Sequence, residues 1–305
     1  MRISFDDQVA IVSGGGRGLG AQYARELARR GATVIVVDNG ASFSGEGHDA
    51  GPANAIAAEI VAAGGRAYAC VADASTPDGG RAAVDIAVEE LGRLDVVIAN
   101  AGIAHSALLD EWTTEQFEAQ LQHHLLAAFH LVRPAFAVMK AARYGRLVFV
   151  SSAAGLFGQP GMLGYAAAKT GMLGLMNVAA LEGAEFGITA NAVMPMAGTR
   201  LAGAVLGEAG QTPDARAFLD QLRVDQVAPV VAYLASRECT ATHTVLSAFA
   251  GRVAMLQVGV TNGWFSPDRT LSVEDVAEHL PTIMNTDDLL VPGSIFDEMT
   301  HTLGG

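Results

Sequence analysis

Three observations predict an α/β chain built on a doubly wound, seven-stranded parallel sheet with helices on both faces and a C-terminal extension. From Val9 onward, short apolar or β-branched runs alternate with longer helical patterns. The first of those runs leads straight into a glycine cluster that opens a helix. Half of the 305 residues are hydrophobic and mean hydropathy is +0.30, which suits a substantial core.

Taken in order, the apolar runs predict strands over 8–13, 33–37, 66–71, 94–99, 145–150, 189–194 and 253–258. Helical patterns lie near 18–30, 51–64, 77–92, 114–142, 165–187 and 226–236. Residues 39–51 form a long Gly-rich loop, and 196–225 carry the small and apolar residues of a mobile lid. No repeat, Pro-rich linker or charge block marks a boundary, so 1–265 reads as one domain and 266–305 as an extension docked on that domain or on a partner subunit. In the extension, Ser272 with Asp275 has the pattern of a helix cap, and its Leu, Val and Ile content favours docking over disorder.

Net charge −13 and pI ≈ 4.9 oppose nonspecific attraction to nucleic acid or anionic membrane. No uninterrupted apolar run reaches the roughly 18 residues of a membrane span, and the start of the chain has no apolar signal region. A cytoplasmic protein is expected. Cys70 and Cys239 are too few and too isolated for a disulfide framework or a zinc site. His123 and His124 point about 100° apart on a helix and have no H-E-x-x-H companion, so no metal site is expected.

Gly14, Gly15, Gly16, Arg17, Gly18, Leu19 and Gly20 stand between the first strand and the first helix. There a glycine loop brings backbone N–H groups and a helix N-terminus to a pyrophosphate. This is the Rossmann arrangement for a dinucleotide. Asp38 ends the second strand, 18 positions after Gly20, where a carboxylate accepts from the ribose hydroxyls and repels a 2′-phosphate. Arg17 pulls the other way, but the carboxylate beside the ribose favours NAD.

Tyr165 and Lys169 stand four apart, on one helix face, and Ser152 ends the strand-like run 146–150. An ammonium beside a phenol favours the phenolate and lowers a pKa that starts near ~10. Tyr165 then becomes an acid and base usable near neutral pH, with Ser152 bonding the same substrate oxygen. A Tyr and Lys four apart are common on solvated helices, so the surrounding pattern has to carry the reading.

With the glycine loop, Asp38, Asn100-Ala101-Gly102, Ser152 and Tyr165-x-x-x-Lys169 in this order, the chain resembles the short-chain dehydrogenase/reductase family over roughly residues 5–265. The resemblance selects Ser152, thirteen positions before Tyr165, over Ser151. It implies hydride transfer at a nicotinamide, with Tyr165 as acid/base, Ser152 orienting the oxygen, and Lys169 holding the ribose and tuning Tyr165. It also implies Asp73 near the adenine, Asn100, Ala101 and Gly102 along the cofactor, and Pro195 through Thr199 at the nicotinamide end.

Three positions depart from the usual family pattern: Ala99 and Met196 replace an Asn and a Gly, and His124 stands where most members carry a catalytic Asn. That Asn supports a proton path from the lysine, and an imidazole can also donate and accept. The His, the long loop after Asp38, the 195–200 segment and Gln226-Val227-Ala228-Pro229 are similar to the 3-hydroxyacyl-CoA dehydrogenase domains of type 2 multifunctional enzymes. The implied activity is NAD-dependent, reversible oxidation of a 3-hydroxyacyl-CoA by a stand-alone dehydrogenase; Leu201, Val205 and Leu206 of the lid have the character either to cover an apolar acyl chain or sterol or simply to pack inside a helix. A hydroxysteroid dehydrogenase and a catalytically silent dinucleotide-binding scaffold are the rivals. Ala and Gly on the faces of 114–142 and 165–187 predict a homodimer or homotetramer.

Overall fold

Strands buried from end to end are what a parallel sheet sandwiched between helices demands, and the chain supplies them. β1 (Val9–Ser13), β2 (Thr33–Val37), β4 (Val96–Ala99) and β5 (Gly145–Val150) are buried at every position. A computed structural model describes residues 3–198, 212–266 and 270–303. With β3 (Arg66–Cys70), β6 (Ile188–Pro195), β7 (Thr244–Phe249) and β8 (Arg252–Leu256), these strands form one sheet in the order β3-β2-β1-β4-β5-β6-β7-β8. Pairing is parallel from β3 through β7. Winding changes direction between β1 and β4, and a crevice opens there at the carboxyl ends of the strands.

Successive side chains of a strand face opposite sides. Ile11 joins Leu131, Met139, Leu147, Phe149 and Met176 in one buried cluster, while Val12 joins Tyr23, Leu27, Val34, Ile98 and Val231 in the other. The covering helices are α1 (Gly18–Arg29), α2 (Gly51–Ala62), α3 (Pro77–Asp85), α4 (Thr114–Gln120), α5 (Ala127–Ala142), α6 (Ala153–Phe157) and α7 (Leu163–Gly183). Helices Pro213–Gln221 and Ala228–Ala235 follow. Two of the long predicted helices contain π turns, over Ile86–Glu90 after α3 and over Leu121–Leu126 between α4 and α5. The α4–α5 rod, Thr114–Ala142, is long and apolar enough for a bilayer by length and composition alone, with mean hydropathy 1.4. Leu131, Ala135 and Met139 pack it onto the sheet instead.

The end of the sheet differs from the sequence expectation. The seventh parallel strand is Thr244–Phe249, paired with β6 from Asn191↔Thr244 to Pro195↔Ala248. The run predicted over 253–258 is instead an eighth strand, β8. Ala250 (φ 48°) and Gly251 (φ 76°) form the turn between them, a link too short for anything but an antiparallel return. Gly251 is the one turn signal in this stretch, and its partner in the turn is an alanine in the left-handed region, which sequence does not announce.

The chain divides into two compact units, Met1–Met255 and Leu256–Gly305. In the second, β9 (Val260–Thr261) pairs antiparallel with β10 (Leu289–Leu290), and Thr261 Oγ1 donates to the Ile283 carbonyl at 2.7 Å. Helix Val273–Ile283 starts at the Ser272/Asp275 capping box that the sequence announced, and Trp264 stacks on His279 at 4.0 Å.

Candidate active site

The glycine loop is drawn onto the end of β4 by side chains of both strands. The Asn100 and Ala101 N–H groups donate to Ser13 Oγ at 2.9 and 3.1 Å, and Asn100 Nδ2 donates to the Ser13 and Gly14 carbonyls. This closeness leaves no room for side chains. A Cβ on Gly14 (φ 62°) would lie 2.9 Å from Ala101 Cα, and one on Gly20 would lie 2.0 Å from the Gly14 carbonyl oxygen. Gly18 opens α1, whose first turn carries no acidic residue. A loop without side chains at a helix N-terminus is a cradle for a pyrophosphate.

Asp38 is fixed at the far end: Oδ2 accepts from the Gly16 N–H at 2.9 Å and Oδ1 from the Gly40 N–H at 2.8 Å. Arg17 is committed to the same loop, its guanidinium donating to the Gly40 and Ala41 carbonyls, with Nη2 3.9 Å from Asp49. Asp73 accepts from the Ser75 N–H at 2.9 Å on the neighbouring strand end.

At the other end, Ser152 follows β5, and its Oγ caps α6 by accepting from the Ala154 N–H at 3.2 Å. Tyr165 stands in the first turn of α7 and Lys169 one turn later. Lys169 is 3% exposed; its Nζ donates to the Val150 carbonyl at 2.7 Å and lies 5.6 Å from the Tyr165 ring centre. Burial drives the Lys169 ammonium down to about 7. Burial also pushes the Tyr165 phenol up, and a hydrogen bond with Ser152 pulls it part of the way back. The expected lowering of Tyr165 by Lys169 is therefore corrected: the ammonium is aimed at a backbone carbonyl, and desolvation governs the phenol.

His124 is buried in the π turn, edge-on to Tyr165 at 5.1 Å. Its Nε2 lies 2.8 Å from the Ile103 carbonyl and 3.2 Å from the Ile103 N–H, while Nδ1 has no partner. Burial, and then the charge of Lys169, hold its pKa well below 6.5, so the ring is neutral at pH 7. Gly102 makes the space for it, since a Cβ there would come within 2.0 Å of His124 Cε1.

Gly14, Arg17, Gly18, Leu19, Gly20, Asp38, Asp73, Asn100, Ala101, Gly102, His124, Ser152, Tyr165, Lys169 and Pro195 line a single cleft of about 630 Å³, whereas Gly15 and Gly16 do not reach it. Thr199 and the proposed lid residues Leu201, Val205 and Leu206 lie outside the described residues. Among the lining residues that the sequence reading did not single out are Phe43, Ile103, Phe157 and Leu222. Phe43 belongs to the Gly-rich loop, and its carbonyl accepts from the Ala104 N–H at 2.8 Å. Ile103 had no signal at all, because its role is played by backbone atoms.

The profile of the family described as short chain dehydrogenase matches residues 8–204. A short-chain type dehydrogenase/reductase of Mycobacterium tuberculosis is 37% identical over 287 residues, covering 94% of this chain and 97% of that protein. Peroxisomal multifunctional enzyme A of Dictyostelium discoideum is 33% identical over 303 residues, 99% of this chain but 66% of that enzyme. The structure of full-length peroxisomal multifunctional enzyme type 2 from Drosophila melanogaster superposes with a TM-score of 0.81 at 28% identity, covering 99% of this chain and 50% of that one. The chain belongs to the short-chain dehydrogenase/reductase family and is an oxidoreductase acting on CH–OH groups.

Proposed function

We propose that the protein catalyses the NAD-dependent, reversible oxidation of a 3-hydroxyacyl-CoA to the 3-oxoacyl-CoA. The observation that carries this reading is the meeting of Ser152, Tyr165, Lys169 and a neutral, buried His124 at one end of a cleft whose other end presents Asp38. The likeness to multifunctional enzymes supports the choice of substrate.

A bound nicotinamide supplies the hydride acceptor. Tyr165 takes the hydroxyl proton in the oxidative direction and returns it in the reductive one, and Ser152, whose hydroxyl eases ionisation of the phenol, steers the substrate oxygen toward it. Lys169, with a proton affinity close to neutral, gives and takes a proton at Nζ without leaving its buried position. Asp38 accepts from ribose hydroxyls and disfavours a 2′-phosphate, with Arg17 held on loop carbonyls. Exposed Leu126 and Phe129 on the rod 114–142, and Val178 and Leu181 on α7, support assembly into a homodimer or homotetramer, which sedimentation tests.

The test of substrate is kcat/KM for a 3-hydroxyacyl-CoA against a 17β-hydroxysteroid. Turnover of the sterol alone overturns the thioester reading. A KM for NADPH below that for NADH overturns the cofactor, and NADH binding without turnover of any alcohol leaves a silent scaffold.

A further inference from the structure

Beside the catalytic cleft lies a second, shallow hollow of about 310 Å³, and the two share a wall made by Gln159 and Pro160. None of the seven residues lining the hollow is ionisable. Leu108, Leu109 and Leu163 line it and are 58%, 74% and 37% exposed, and Phe157, which lines the neighbouring cleft, is 74% exposed. Four large apolar side chains gathered in the open at the mouth of a cleft mark a binding surface.

The hollow is built rather than accidental. Gly161 (φ 82°) brings the wall against the segment before α4: its carbonyl accepts from the Ala107 N–H at 3.1 Å, and a Cβ there would lie 2.6 Å from Ser106 Oγ. Trp112 Nε1 donates to the Ala107 carbonyl at 2.8 Å and braces the same segment from behind. Asp110 and Glu111 follow Leu109 directly, so an anionic group is repelled from this side and only an uncharged chain is welcome.

We propose that this hollow receives the distal alkyl tail of the alcohol substrate, running from the oxygen held at Tyr165 across Gln159 and Pro160 to Leu108 and Leu109. The proposal rests on the 3-hydroxyacyl-CoA reading and deepens it: the enzyme selects for chain length, and the coenzyme A end leaves the cleft elsewhere. The apolar wall rewards each added methylene that reaches it.

The test uses the full chain carrying Trp264→Phe, which leaves Trp112 as the one indole beside the hollow. In one arm, kcat/KM is measured for 3-hydroxydodecanoyl-CoA and 3-hydroxybutyryl-CoA, with and without Leu108→Ser plus Leu109→Asp. The long-to-short ratio is expected to fall by about tenfold, the equivalent of roughly two buried methylenes. In the other, Trp112 fluorescence is followed while dodecanoyl-CoA, which lacks the reacting hydroxyl, is added; a change is expected that the double substitution abolishes. An unaltered ratio, or no response of Trp112 before substitution, overturns the proposal. If neither thioester turns over while Trp112 still responds and the substitutions abolish it, the reaction assigned above fails and the tail site stands.

Discussion

The two ends of the cleft are made by opposite means. At the adenosine end, position is set by what is missing: Gly14 and Gly20 let backbone come so close that a Cβ would collide, Gly16 makes room for the Asp38 and Pro52 side chains, and Asp38 is pinned by two backbone N–H groups. At the catalytic end, everything depends on side chains that are present and largely withdrawn from water. Lys169 and His124 are buried with their proton affinities lowered, and the half-buried Tyr165 has its own raised. One end is a shape and the other an electrostatic condition, so substitutions there should fail differently.

The largest effect belongs to the chemistry. Tyr165→Phe keeps the ring that packs edge-on against His124 and removes only the acid/base oxygen. Turnover of a substrate alcohol should fall by about 10³-fold, with NADH binding changed little. Full activity in this variant would break the contrast, because the catalytic end would then also be only a shape.

Gly20→Ala attacks the other end. Its new methyl would lie 2.0 Å from the Gly14 carbonyl oxygen, and backbone has to move. A loss of about 1–3 kcal/mol in stability is expected, read by urea denaturation, together with weaker NADH binding in a fluorescence titration. Unaltered values in both would show that the loop is not sterically closed.

Lys169→Met tests the electrostatic end through pH. The unfolded chain keeps this proton up to the ordinary 10.5, while the folded protein releases it near about 7. Between those values the unfolded state binds more protons, so this residue makes stability rise with pH; below 7 the cost of the buried charge is present in full. From pH 7 to 9 the wild type should gain about 2 kcal/mol relative to Lys169→Met. Parallel pH–stability curves for the two proteins would mean that Lys169 keeps its proton when folded.

The same division decides what could be read from the sequence. Gly14 to Gly20 and Asp38 were legible because local spacing places them on a strand, loop and helix start, and Ser152, Tyr165 and Lys169 because the family resemblance selected them. The alternating order of strands was legible because burial on both faces demands apolar runs. Ile103 was not, since two backbone atoms hold His124, and neither was the π turn that carries His124, because a one-residue widening of a helix leaves no residue pattern. The pKa direction of Tyr165 was misread for a related reason: spacing tells which groups are neighbours, and only packing tells that Lys169 is turned toward Val150. The β7–β8 hairpin failed on a single alanine at positive φ.

Arg17→Ala should have the smallest effect and separates shape from charge within the adenosine end. If Arg17 were a phosphate receptor, its removal would alter the balance between the two nicotinamide cofactors. The structure instead engages its guanidinium with the Gly40 and Ala41 carbonyls and leaves it 3.9 Å from Asp49, in a partly solvated pair worth no more than about 1 kcal/mol. The KM for NADH should therefore rise by less than about fivefold, through a looser 39–51 loop, and the NADH/NADPH ratio of kcat/KM should stay as it was. Asp38 lies between Gly16 and Gly40 and keeps both hydrogen bonds without the arginine, so discrimination remains where the carboxylate is. A collapse of residual NADPH activity in Arg17→Ala would assign the arginine to a 2′-phosphate, and the adenosine end would then work by charge as well.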